Sequence, residues 1–522
     1  MPRTDWLDRN ALYTPDAPGL VWGPTGETYT YAELHRAGER LAAGLAAQYD
    51  LSAGDRVAVL AENTLEHVLL FCAAQKAGYV LVPLNFRLAP PELQYLVDDS
   101  APHVLFASAD FRDIAEGLEL DAPVAPLDKV GALMESASGT ADTDSPELDD
   151  PLMILYTSGT TGRPKGTIIP HKMLFWNSVN TELRLDLTAQ DRSFNAAPFY
   201  HTGGWNVLLT PFLHHGATTY LFPSFDPGAI LRTCDEEALT ILWGVPTMLK
   251  MMADHAAFDE VTLDTVRYAV VGGEAMPEPL IRTWQDKGVP IRQGFGMTEV
   301  GVNCFPLPAR DALRKIGSIG FPNFYVDAKV VDENGENVPP NTTGELLLRG
   351  PVVTPGYWRN PKATDAAIDE MLQLANKRDK NAIKILGKMG ATEAVETLVE
   401  YADADSDPEL QKVTFRALGE IGDKEAVQPL ANKLLMDNDN VRPQAARALG
   451  LLGDTRAIRP LSEALKADEE SNVRAQAAWA LRQIGTKRAL EAVVDHGSDD
   501  TFIVQTEIDK ARRGLDAAVP SA

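Results

Sequence analysis

The stretch Tyr156-Thr157-Ser158-Gly159-Thr160-Thr161-Gly162-Arg163-Pro164-Lys165-Gly166 concentrates residues that can hold a polyphosphate. Gly159, Gly162 and Gly166 allow positive φ and let amide N–H groups come close to an anion, while Thr157, Ser158, Thr160 and Thr161 add hydroxyl donors. Lys165 supplies a positive charge. The spacing departs from a P-loop, which needs G-x-x-x-x-G-K-[ST]; here glycine follows the lysine and no helix is expected to open directly after it. A P-loop NTPase is therefore disfavoured, and taken alone the segment could equally be a solvated connection.

The elements that would position this loop follow from the flanking pattern. Arg56–Leu60 reads as a strand, the apolar period through Leu65, Leu69 and Ala73 as a helix, and Tyr79–Leu84 as a second strand, together a βαβ unit. Similar alternation recurs at Ala238–Leu249 and Arg267–Val271, so a mostly parallel sheet covered by helices is expected. Between Ile316 and Arg349 the texture changes to short alternating segments, Tyr325–Val331 and Glu345–Leu348, with turn signals at Asn334-Gly335 and Pro339-Pro340. This reads as a small antiparallel β subdomain.

After about Asp369 helix formers dominate and a phrase recurs. Leu386-Gly387, Leu418-Gly419, Leu449-Gly450 and Leu481-Arg482 each lead to a glycine three residues on, at 390, 422, 453 and 485, and an apolar pair follows each. A period of 31 to 32 residues with two helices per unit marks an α-solenoid. The wording Ala-Leu-Gly-x-x-Gly-Asp at Ala448–Asp454, running on to Leu461, resembles short HEAT repeats of the phycobilisome-lyase type over roughly residues 380 to 515. That resemblance implies a surface for a protein partner; packing against the first domain is the alternative.

The phosphate-type loop is followed by further motifs in a fixed order, and the set resembles the adenylate-forming superfamily of acyl-CoA synthetases, luciferases and nonribosomal peptide adenylation domains. Pro198-Phe199-Tyr200-His201 with Gly203-Gly204 is similar to the family's substrate-side motif, and Val271-Gly272-Gly273-Glu274-Ala275 to the segment along adenine. Gly294-Phe295-Gly296-Met297-Thr298-Glu299 resembles YGxTE with phenylalanine for tyrosine, and Gly344 through Gly350 to Gly356-Tyr357-Trp358 resembles the motif closing the large domain. Thr30–Leu34 and Val82–Asn85 also fit. The resemblance implies that residues 1–368 form an α/β layered AMP-binding domain, with the β subdomain at 316–360, ahead of an all-α HEAT-like solenoid at 369–522.

The roles it implies are coherent. Phe295 stacks on adenine beside Gly296, Glu299 holds Mg2+ through a hard oxygen, and Thr298 hydrogen-bonds the α-phosphate or acyl carboxylate. With Lys165 and the loop they balance charge as a carboxylic acid attacks the α-phosphorus of ATP, giving an acyl-adenylate, with coenzyme A as a possible acceptor. His201 is expected to orient the acyl group, against a purely structural reading. Trp205, Asn206, Gly244, Val245 and Met248 are expected by analogy to line an acyl pocket, with core packing as the equal alternative; an apolar lining favours a fatty or other hydrophobic acid.

The pattern breaks after Asn360-Pro361-Lys362-Ala363-Thr364. Family members continue into a segment whose Thr-Gly-Asp aspartate binds ribose, then into a small C-terminal domain with a catalytic lysine, whereas here the chain passes into the repeats and no Thr-Gly-Asp triplet occurs. Three readings stay open: adenylation by the large domain alone or completed in trans, a non-catalytic nucleotide- and acyl-binding scaffold, and a junction near residue 368 that is not native.

Composition narrows the partners. With 48 Lys plus Arg against 74 Asp plus Glu, the net charge of -26 repels a nucleic-acid backbone. The acidic excess runs through both halves, as in a high-salt or an ordinary acidic cytosol. Cys72, Cys234 and Cys304 have no pairing or metal spacing, fitting a reducing compartment. No window approaches ~18 uninterrupted apolar residues and the start lacks a signal-like apolar run, so a cytoplasmic protein is expected.

Overall fold

The computed structural model describes residues 4–136, 145–157, 163–332, 334–364, 383, 392–403, 408–435, 441–499 and 501–518. The chain divides into two compact units, one ending at Thr364 and one starting at Asp365, apart from a short segment around residue 335. The layered α/β unit and the helical repeats expected from the sequence are both present.

In the first unit a six-stranded sheet runs in the order Val124–Pro126, Val104–Ala107, Arg56–Leu60, Val80–Pro83, Pro151–Thr157, Lys165–Pro170. Five strands are parallel and the last is antiparallel. The helix Leu65–Ala77 that crosses between two of them is buried on nearly every side, which is why its sequence is almost continuously apolar rather than amphipathic. It ends on Gly78, whose φ of 73° is a left-handed cap.

A second sheet places Ile241–Gly244, Tyr268–Val271 and Ile291–Phe295 in parallel, with Phe305–Leu307 antiparallel at the edge. A third contains Glu27–Thr30, Pro18–Trp22, Thr218–Leu221 and Arg192–Asn195. The β subdomain is a two-stranded ribbon, Asp327–Val331 against Glu345–Arg349. The three cysteines are buried and unpaired. No helix among the described residues is long and apolar enough to cross a membrane.

In the second unit the recurring phrase has a structural cause. Gly422, Gly453 and Gly485 have φ of 79°, 64° and 68° and terminate a helix, after which Asp423, Asp454 or Thr486 accepts a backbone N–H to start the next element. The glycines of the two described Leu-Gly pairs sit where successive repeats touch: a Cβ on Gly419 would lie 3.0 Å from Ala448 Cα, and one on Gly450 2.7 Å from Ala480 Cα. The fourth copy carries Arg482 instead, and its guanidinium donates to Glu507 at 2.7 Å on the closing helix Phe502–Ala518. Arg442 with Asp468 and Arg474 with Asp499 repeat one buried ion pair along the array. Leu386, Gly387 and Gly390, the first copy, lie outside the described residues.

A valine at Gly450 has to push two helices apart, because the obstacle is backbone and not a mobile side-chain end. Gly450→Val is expected to cost ~1–3 kcal/mol, read as a lower urea midpoint; an unchanged midpoint would refute the close-approach explanation.

Candidate active site

The carboxyl ends of the parallel strands in the second sheet lie abreast. Gly272 donates its N–H to Gly244 O at 3.3 Å, and a Cβ on Gly272 would be 3.4 Å from Gly294 O. Open parallel sheets bind ligands beyond such ends, because the following loops are free to diverge there. Here those loops carry Val245 and Met248, Gly273 and Glu274, and Gly296 to Glu299. Gly273 has φ of 83°, and a Cβ on it would be 3.3 Å from Val245 Cγ1, so the first two loops run side by side. Val245, Gly273 and Glu274 are exposed, and Met248 is partly buried.

Phe295 ends its strand paired with Phe305, the rings edge to face at 5.9 Å, and it remains partly exposed. Gly296 is forced by a close approach: a Cβ there would stand 2.0 Å from Val302 O. Thr298, nearly buried, and Glu299 follow in a single 3-10 turn.

That turn is strapped to the first sheet. Glu299 O accepts from Thr354 N–H at 2.7 Å, and the Thr354 hydroxyl donates to Ile168 O at 2.6 Å. Residues 356 to 358 then run along Lys165–Pro170: Ile168 N–H donates to Gly356 O, Trp358 N–H donates to Gly166 O, and Thr167 pairs with Tyr357. The strap delivers Tyr357 between two chain-distant groups. Its phenol donates to Glu299 Oε1 at 3.0 Å, and the Lys165 ammonium lies 4.9 Å from its ring centroid. Burial first, then the Glu299 charge, push the phenol up to about 12, so it stays a donor at neutral pH. Glu299 Oε2 has no partner among the described residues, leaving one hard oxygen for a cation.

Thr157 and Lys165 close the antiparallel pair as its last register partners, with the Thr157 hydroxyl 3.5 Å from Lys165 O. A strand begins at Lys165 where a P-loop would open a helix. Ser158, Gly159, Thr160, Thr161 and Gly162 lie outside the described residues.

His201 caps the short helix Thr202–Asn206, and its Nδ1 accepts from Gly203 N–H at 3.0 Å, which leaves the proton of the neutral ring on Nε2. Packing lowers its pKa and favours that neutral form, although part of the ring meets solvent. A Cβ on Gly203 would be 3.3 Å from Trp243, so this turn sits against the second sheet. Gly204 is required because a Cβ would meet Pro198 O at 2.5 Å.

Trp205 and Asn206 belong to the core rather than to a pocket wall. Trp205 has no exposed surface, stacks on Phe199 at 4.3 Å and donates its indole N–H to Phe199 O at 2.7 Å. Asn206 donates to Thr202 and accepts from Thr210, and its carbonyl receives Asn177 and Asn303. The motif's local wording did not separate a helix face turned to the core from one turned to a ligand. Tyr357 was visible only as part of a motif, with no role; its partners stand 58 and 192 residues away in sequence.

The AMP-binding enzyme family matches residues 7–358, and the chain belongs to it; HEAT repeats match 364–442 and 433–510. A feruloyl-CoA synthase from Amycolatopsis sp is 38% identical over 367 residues, 69% of this chain and 72% of that protein. An indoleacetate–CoA ligase from Aromatoleum aromaticum is 36% identical over 383 residues, 71% and 74% of the two chains. The inhibitor-bound N-terminal domain of FACL13 from Mycobacterium tuberculosis superposes with a TM-score of 0.65 at 30% identity, covering 70% of this chain and 94% of that one. The o-succinylbenzoate coenzyme A synthetase of Bacillus subtilis, solved with ATP and a magnesium ion, gives 0.63 at 29% identity, covering 69% and 74%. These relatives are acid–CoA ligases of differing substrate.

Replacing Tyr357 by phenylalanine removes the one hydrogen bond to the Glu299 carboxylate among the described residues and is expected to cost ~1 kcal/mol in urea unfolding. A phenol whose folded pKa is raised above the ordinary ~10 stabilises fully below that value and loses the contribution as pH climbs toward 12. The gap between wild type and Tyr357→Phe is therefore expected to be constant from pH 7 to 9 and to narrow above 10; a gap insensitive to alkaline pH would contradict the assignment.

Proposed function

We propose that the first unit activates a carboxylic acid, fatty or otherwise hydrophobic in its body, with ATP to give an acyl-adenylate and pyrophosphate. The observation that carries this reading is the convergence of Lys165, Tyr357 and Glu299 beside the strand ends bearing Gly272-Gly273 and Phe295. Family membership, and relatives whose names are acid–CoA ligases, support it.

In this scheme the backbone and hydroxyls from Thr157 to Gly162 hold the β- and γ-phosphates, with Lys165 neutralising charge at their edge. Phe295 offers its ring to adenine and Gly272, Gly273 and Glu274 border it, glycine permitting close approach. Thr298 donates to the α-phosphate or the acid carboxylate, and neutral His201 donates from Nε2 to orient the acid. Glu299 Oε2 would hold Mg2+, a cation that offsets charge on the phosphate oxygens as pyrophosphate leaves. The acid's carboxylate oxygen attacks the α-phosphorus, the new P–O bond replaces the bond to pyrophosphate, and coenzyme A is the proposed later acceptor. The setting is cytoplasmic, and the repeats are proposed to bind a protein partner.

A non-catalytic nucleotide- and acyl-binding scaffold is the second reading, favoured by one observation: the sequence holds no Thr-Gly-Asp triplet, and after Thr364 it passes into repeats. ATP–pyrophosphate exchange separates the two. Under the enzymatic reading exchange depends on an added acid, and Lys165→Ala and Glu299→Ala each lower it by ~10^2 to 10^3. Saturable ATP binding with no exchange for any acid would establish the scaffold instead.

A further inference from the structure

The short helix Thr202–Asn206 that His201 caps is tied down at both ends by asparagines. At the near end the buried Asn63 accepts from Phe199 N–H at 3.0 Å and donates to Ala197 O at 2.8 Å, while Asn195 donates to Gly204 O at 2.7 Å. At the far end the acceptors are the carbonyls of Asn206 and Val207. Asn177, on the helix His171–Leu185, donates to Asn206 O at 2.7 Å. Asn303 reaches both carbonyls, donating from Nδ2 to Val207 O at 2.9 Å and to Asn206 O at 3.2 Å.

Asn303 differs from the other three in the chain segment that brings it. It stands three residues beyond the turn Thr298–Val300, which carries Thr298 and Glu299. Its Nδ2 also donates to the Thr181 hydroxyl at 2.8 Å, an oxygen left as an acceptor because its own proton goes to Asn177 O at 2.6 Å. The backbone of Asn303 is held as well: its N–H donates to Asn177 Oδ1 at 3.3 Å, and its carbonyl accepts from Asn323 Nδ2. Gly301 has φ of 65°, and a Cβ there would stand 3.1 Å from Asn177 Oδ1, so the chain between Glu299 and Asn303 passes directly over that amide. One asparagine therefore joins the turn bearing Thr298 and Glu299 to the helix whose cap is His201.

The two joined elements serve different halves of the reaction. A ligand on one half does not sense the distance between them, whereas one that spans both does, and a misplacement of ~1 Å between reacting groups costs ~10^2-fold. We infer that Asn303 is a positioning residue: it sets the separation between His201, which orients the acid, and Thr298 with Glu299, which face the phosphate and its cation. This rests on the acid-activating reading above and extends it to a side chain that touches neither reactant.

The test is calorimetry on the full chain, wild type and Asn303→Ala, with ATP and with two acylsulfamoyl-adenosines, the phenylpropenoyl and the decanoyl compound, as stable mimics of an acyl-adenylate. ATP lies on the phosphate side alone; each mimic spans both sides. Asn303→Ala is expected to weaken the tighter mimic about 10- to 100-fold and to leave ATP affinity unchanged. A side chain that merely stabilised the loop would weaken both alike or neither. Asn303→Ser, whose hydroxyl is too short to reach Val207 O, takes its place if circular dichroism shows the alanine variant unfolded. Equal weakening of ATP and mimic, no change in either, or unfolding of both variants would each overturn the positioning role and leave the ligase reading standing. A wild-type chain that binds neither mimic more tightly than ATP would remove the ligase reading itself, so the two fail separately.

Discussion

The phenol of Tyr357 ties together three parts of the first unit that sequence keeps apart. It donates to the Glu299 carboxylate while its ring faces the Lys165 ammonium. Charged groups of opposite sign held near one aromatic side chain keep their positions without neutralising each other directly, so among the described residues Glu299 retains an unpaired oxygen and Lys165 an ammonium with no ion-pair partner. The backbone strap from Thr354 to Trp358 makes this possible, because it is hydrogen-bonded both to the turn carrying Glu299 and to the strand opening at Lys165. The strap adds hydrogen bonds to the packing that already brings the turn carrying Glu299 against the strand opening at Lys165.

The rest of the candidate site depends on a sheet whose strands end level. Gly244, Gly272 and Gly294 stand at or next to those ends, and the loops beyond carry the residues read as adenine-side and acid-side. The second unit follows a different logic: each repeat buries its faces on its neighbours, with glycine at the crossing and an Arg–Asp pair recurring along the array.

Much of the fold was legible because the deciding interactions are local. The strand at Arg56–Leu60 and the helix after it announce themselves by β-branched runs and an unbroken apolar stretch, and the repeat period by glycines that only a left-handed turn demands. The β subdomain was legible too, reduced to a two-stranded ribbon. Trp205 and Asn206 were less so, since a tryptophan and an asparagine on a short helix suit a pocket wall and a satisfied core equally. Burial, not residue type, separates those cases.

Motif order alone determined the family, the loop rich in glycine and hydroxyl residues and the 31- to 32-residue array, because each is written in residue types at short spacing. Tertiary structure decided which side chains meet. The union of Lys165, Glu299 and Tyr357 and the withdrawal of Trp205 into the core both join residues that are not chain neighbours, and side-chain contacts of that kind exist only once the sheets have closed.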